Sequence, residues 1–166
     1  RQPLQWLGNR VRLLDQTRLP HEEVYLELIS YPEVVSAITE MKVRGAPAIG
    51  VAGAYGIALG ALGLKAGSRE EFRTKLSEVI QVIAGTRPTA RNLFMAIERM
   101  QRVAETDTEP ERTREALVSE AVKIHAEETE ASRKMARFGA DLIEDGFTVL
   151  THCNTGPLAA PGYGTA

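Results

Sequence analysis

The only cysteine in the 166-residue chain, Cys153, closes an apolar run in "DGFTVLTHC" and is followed by Asn154 and by glycines 156, 162 and 164. If that run is a strand, the thiol stands at its carboxyl end, the position beyond which open parallel sheets bind their ligands. A following helix N-terminus would also stabilise a thiolate there. The competing reading is an inert thiol packed as a small hydrophobe. His152 directly precedes it and on a strand points to the opposite face, so adjacency does not make a Cys-His nucleophile pair.

Two arginines form the second chemical pattern. Arg44 precedes the "GAP" loop that launches a glycine-rich helix, and Arg87 precedes Pro88 where another helix starts. Helix N-termini present unpaired N–H groups and partial positive charge, so an arginine at each makes an anion clamp if the two ends converge. Each arginine alone reads more readily as a solvated surface cation. His21, His125 and His152 lack ligand spacing, Asp141 and Asp145 read as helix-end surface residues, and "GPLAAPGYG" does not fit the dinucleotide fingerprint. Nothing in the pattern calls for a cofactor or a metal.

Several elements must position these groups. Trp6, "VRLLDQ" and "EEVYLELIS" show partly alternating apolar residues around a Pro20-containing connection, which predicts a small antiparallel unit. "EVVSAITEM" has helical spacing and stops at "KVRGAP". Glycines 50, 53, 56, 60 and 63 then share one helical stripe, at about 0.8 to 1 kcal/mol each relative to alanine, so something must approach it closely: another helix or strand or, at the end next to Arg44, a ligand. Ser68 with Glu71 is a capping box, and Gly85 stops the helix it opens. "RPTARNLFMAIERMQRVAE" is the next helix, with Pro88 suited to its first turn. A charged pattern from Arg112 to about Asp145 predicts one long helix or two, with Gly139 as a possible break, and the continuous apolar run 147–150 predicts a buried parallel strand.

Composition bounds the classes. An apolar share of 43% and a charged share of 25% are those of an ordinary globular chain. A net charge of -2 leaves no basic field to draw a nucleic acid or a membrane surface. The lone cysteine forms no internal disulfide, and no leader pattern is seen at the amino end, which together predict a cytoplasmic setting. The missing Met before Arg1 and the uncapped glycine-rich close at Ala166 predict a piece of a longer chain.

Four motifs in order, "LLDQTRLP", "VRGAPAIGVAGAYG", "RPTARNL" and "LTHCNTGPLA...GYGTA", resemble the methylthioribose-1-phosphate isomerase family, and the resemblance runs from Trp6 onward. It implies an α/β protein with a mostly helical N-terminal domain and small antiparallel sheet at 1–145. Residues 146–166 would open a Rossmann-like domain whose remainder, with the family's proton-donor aspartate, lies beyond Ala166. By the same resemblance Arg44, Gly45, Ala46 and Arg87 bind a sugar phosphate and Cys153 assists catalysis. Residues 155, 157 and 161 depart from the family pattern around that thiol. The fold family also includes ribose-1,5-bisphosphate isomerases and non-catalytic regulatory subunits of a translation-initiation guanine-nucleotide exchange factor. A homodimer, or a second chain carrying the missing half, is the expected assembly.

Overall fold

A computed structural model of the chain describes residues 2–106 and 109–164. Strands β1 (Leu4–Trp6), β2 (Val11–Leu14) and β3 (Tyr25–Leu28) form an antiparallel sheet in that order, with Leu4 opposite Leu13 and Leu13 opposite Leu26. Leu4, Val11, Leu13 and Leu28 are buried in the helical core, whereas Arg12 is exposed, as the two-residue period requires. Leu14 breaks the alternation: it is buried on the other face, against the site described below.

Helix α1 (Tyr31–Thr39) starts at a capping box in which the Glu33 carboxylate accepts from the Ser30 N–H at 2.9 Å. Helix α2 (Ala46–Gly63) is apolar all round and packs against all four other helices and the sheet. By length and composition it could cross a bilayer, but every residue from Ala48 to Ala61 is buried against protein. Its glycines explain how so many neighbours fit. A Cβ would stand 2.3 Å from Leu93 Cδ1 at Gly53, 2.9 Å from Ile83 Cδ1 at Gly56 and 2.5 Å from Val79 Cγ1 at Gly60. Gly63 is different, with nothing within 4 Å of that point, so the expected close approach covers the stripe only from Gly50 to Gly60.

Helix α3 (Arg69–Ala84) has the predicted ends: Glu71 N donates to Ser68 Oγ at 3.1 Å, and Gly85 follows the last turn. Helix α4 (Arg91–Thr106) starts later than predicted. Pro88 lies in a separate turn closed by Ala90 N donating to the Arg87 carbonyl at 3.0 Å, and the helical ladder opens with Phe94 N on Ala90 O. Helix α5 (Pro110–Ala140) is continuous through Gly139. Its first half packs through Leu117, Ala121 and Ile124, while Met135 and Phe138, followed by Leu142 just past the helix, form an exposed apolar stripe.

The expected strand at 147–150 is not formed. The segment is irregular, and Leu150 is 96% exposed. A parallel strand is held only by strands on either side of it, and the one sheet among the described residues turns its strands elsewhere. Beyond it, residues 156–161 fold into turns that dock back on the helical body, with Ala159 and Ala160 buried.

Candidate active site

Gly45 is the pivot. Its φ of +96° belongs to a backbone region that L side chains avoid, and a Cβ on it would stand 2.3 Å from Ala159 Cα. Only glycine lets the 154–160 loop lie this close to the start of α2. The contact is sealed by Ala48 N donating to the Ala159 carbonyl at 3.0 Å. Of the orphan donors at this helix end, Ala48 is thereby occupied and Pro47 has none. The N–H groups of Gly45 and Ala46 make no hydrogen bond to a described residue and stay open beside Arg44.

Between the two loops lies a cavity of about 440 Å³ lined by Leu14, Gln16, Leu19, Arg44 and residues 154–159. Among the described residues Arg44 is the only cation in its lining. Leu14, Leu19, Pro157 and Leu158 make one wall apolar. The lining therefore combines one guanidinium with several hydrocarbon side chains, which suits a small anion carrying an apolar tail.

The predicted site residues are partly brought together. Arg44, Gly45 and Ala46 meet the loop that follows Cys153. The thiol itself is exposed, one residue before the cavity-lining Asn154, and Cys153 has a left-handed φ of 69°, uncommon for a side-chain-bearing residue. Arg87 does not line the cavity; it is half-buried in the turn before α4. The first turns of α2 and α4 nevertheless touch, because a Cβ on Gly50 would stand 2.9 Å from the Asn92 carbonyl oxygen. The helix ends that the two arginines precede thus converge, and neither guanidinium makes a hydrogen bond or ion pair to another described residue.

Sequence reasoning missed two residues that hold the site. Gln16, 4% exposed, donates from Nε2 to the Leu158 carbonyl at 2.9 Å. Thr129 Oγ1 on α5 donates to the Pro161 carbonyl at 2.9 Å. The available signal for Gln16 was a polar side chain directly after an apolar strand in "LLDQT"; for Thr129 there was none. His125, given no role, bonds through Nδ1 to the Tyr55 hydroxyl at 2.6 Å and links α5 to α2. Burial pushes the Tyr55 phenol up and the His125 imidazole down, so the bond joins a neutral phenol and a neutral ring.

The profile of the Initiation factor 2 subunit family matches residues 42–161, more than half the chain. The chain belongs to that family. Within it, a methylthioribose-1-phosphate isomerase of Dehalococcoides mccartyi is 58% identical over 98% of this chain and 49% of its own length. One from Geotalea uraniireducens is 53% identical over 98% and 48%. The crystal structure of 5-methylthioribose 1-phosphate isomerase from Pyrococcus horikoshii superposes with a TM-score of 0.91 at 37% identity, covering 98% of this chain and 46% of that one. The translation initiation factor eIF-2B subunit delta from A. fulgidus gives 0.87 at 40% identity, over 98% and 48%. The chain spans about half the length of the curated relatives it matches.

Proposed function

We propose that this chain is the substrate-clamping part of an aldose-ketose isomerase that converts 5-methylthioribose 1-phosphate to 5-methylthioribulose 1-phosphate, a step of methionine salvage. The observation that carries the proposal is the cavity lined by Arg44, by apolar side chains and by the loop that follows Cys153, with the unpaired Gly45 and Ala46 amides next to Arg44 in the chain. Phosphate on the anomeric carbon blocks the free aldehyde, so the ring must open first: the C1–ring oxygen bond breaks and an acid protonates that oxygen. The phosphate stays attached throughout, which requires a fixed anion clamp. Charge-assisted hydrogen bonds contribute about 1.5 to 3 kcal/mol each. Arg44 and the two amides beside it supply them, joined in the complete protein by Arg87, which does not line this cavity. Hydrogen then moves from carbon 2 to carbon 1, either as a proton through an enol phosphate or as a hydride; the 2-hydroxyl loses its proton and becomes the ketone, so nothing is oxidised overall. Cys153 serves as acid, base or stabiliser of the developing charge.

Residues 146–166 open a second, Rossmann-like domain in this reading. Two features support it: the relatives' double length, and an apolar stripe at Met135, Phe138 and Leu142 that nothing among the described residues covers. The catalytic aspartate, the dimer contact and a cytoplasmic setting belong to the complete protein, whether one polypeptide or two. A ribose 1,5-bisphosphate would need a second cation, and among the described residues Arg44 is the one cation in the cavity lining. The rival reading, a regulatory subunit acting by assembly, draws on the eIF-2B likeness. Assay of the full-length protein with both sugar phosphates separates all three. Turnover of the methylthio sugar is expected, with Cys153→Ala lowering kcat by about 10²- to 10⁴-fold at a KM within a few-fold. An unimpaired Cys153→Ala protein would remove the thiol from the chemistry, and turnover of the bisphosphate alone would overturn the substrate.

A further inference from the structure

Three successive attachments hold the loop after Cys153, each from a different element. The Leu158 carbonyl accepts from Gln16 Nε2, the Ala159 carbonyl from Ala48 N and the Pro161 carbonyl from Thr129 Oγ1. Gln16 differs from the others in touching both sides of the cavity. Its own N–H donates to the Lys42 carbonyl at 2.9 Å, two residues before Arg44, while its side chain reaches the loop 142 residues away in sequence. The turn that carries it is rigid: Asp15 Oδ1 accepts from Thr17 N at 3.0 Å and from Thr17 Oγ1 at 2.6 Å, and Asp15 N donates to the Val24 carbonyl at 2.9 Å. A buried amide braced in this way has one geometry for its donor.

We propose that Gln16 is a positioning residue for the reaction, its amide fixing the 154–159 loop in register with Arg44 and Gly45. The proposal rests on the isomerase reading given above. Among the described residues no hydrogen bond joins Gln16 to Arg44 or to Cys153, so loss of its amide loosens the loop that follows the thiol and leaves the guanidinium in place. A misplacement of about 1 Å is enough to cost on the order of 10²-fold in rate.

The test uses the full-length protein with Gln16→Met, similar in volume but without the donor, and Gln16→Glu. For Gln16→Met, kcat/KM falls about 10- to 100-fold while inhibition by inorganic phosphate stays within about twofold of wild type. In the same variant, hydrogen exchange quickens at Ala159 and Ala160, whose N–H groups close the loop's own turn on the Gly156 carbonyl. Gln16→Glu sets a carboxylate against a carbonyl oxygen when ionised but donates when protonated. Its activity relative to wild type therefore recovers as the pH falls from about 7.5 to about 5, whereas that of Gln16→Met stays flat. Wild-type kcat/KM in Gln16→Met, or phosphate inhibition weakened in proportion to activity, overturns the proposal. If the wild-type protein isomerises neither sugar phosphate, the isomerase reading falls separately; the exchange rates at Ala159 and Ala160 still judge Gln16, and unchanged rates refute it.

Discussion

Gly45→Ala puts the site geometry under direct strain. The new methyl meets a φ of +96° with ψ at 135°, a region costing a side-chain-bearing residue about 1 to 3 kcal/mol. It also lands 2.3 to 2.5 Å from the Cα, O and Cβ of Ala159. Carbon atoms settle about 3.5 Å apart or more, so Ala159 must retreat by about 1 Å. That retreat opens the 3.0 Å bond from Ala48 N, worth about 0.5 to 1.5 kcal/mol net. The total of about 2 to 4 kcal/mol falls mainly on the docking of the 154–160 loop, because the three atoms nearest the methyl all belong to Ala159. In the full-length protein kcat/KM should fall about 30- to 1,000-fold, at 1.36 kcal/mol per decade. Exchange at Ala159 and Ala160 should quicken, with the urea midpoint of the helical body barely moved. Gly63→Ala is the control: with nothing within 4 Å, it stabilises by about 0.4 to 1 kcal/mol and leaves activity alone. A Gly45→Ala protein with near-wild-type kcat/KM and unchanged exchange would refute the close approach on which the site is built.

Gly60→Ala crowds the stiff, buried Val79 at 2.5 Å and should cost about 1 to 2 kcal/mol in urea unfolding, with Val79→Ala in the same chain relieving most of it; additive losses would mean that the two helices do not meet there. His125 is held neutral, so its folded pKa lies below the ordinary 6.5, and the unfolded chain takes up a proton that the folded chain refuses as pH falls below 6.5. Stability should therefore drop on acidification from about 6.5, by at most about 1.4 kcal/mol per pH unit, and less steeply in His125→Gln. Glu128 opposes it in the wild type, because burial raises its carboxyl and folding then takes up a proton above 4.5; only the difference between the two proteins isolates the imidazole, and identical slopes would refute the assignment.

Legibility in the sequence followed the range of the interaction. Ser68 and Glu71 are three residues apart and cap α3 through bonds that the local pattern alone dictates. The glycine stripe announced close packing because bare backbone in an apolar helix is unfavourable until something fills the space, and Leu93, Ile83 and Val79 fill it. Arg44 and Arg87 each precede a helix start in the sequence, but which helices pack together was not legible; Gly50 against Asn92 shows that α2 and α4 meet. Pro88 misled because φ near -65° serves a turn as well as a first helical residue, and the Arg87 carbonyl bond selects the turn. The run 147–150 misled in the opposite way, since its apolar pattern presupposes neighbouring strands that residues 2–106 and 109–164 do not offer. Gln16 was the hardest to read. Its partner is a backbone carbonyl, which carries no residue identity, so no pattern of side chains could point from residue 16 to residue 158. What the sequence did show was an amide-bearing side chain where an apolar strand ends, and a buried donor must find an acceptor. The Leu158 carbonyl, at 2.9 Å, is that acceptor, and the bond joins two sides of the cavity through a residue with no chemistry of its own.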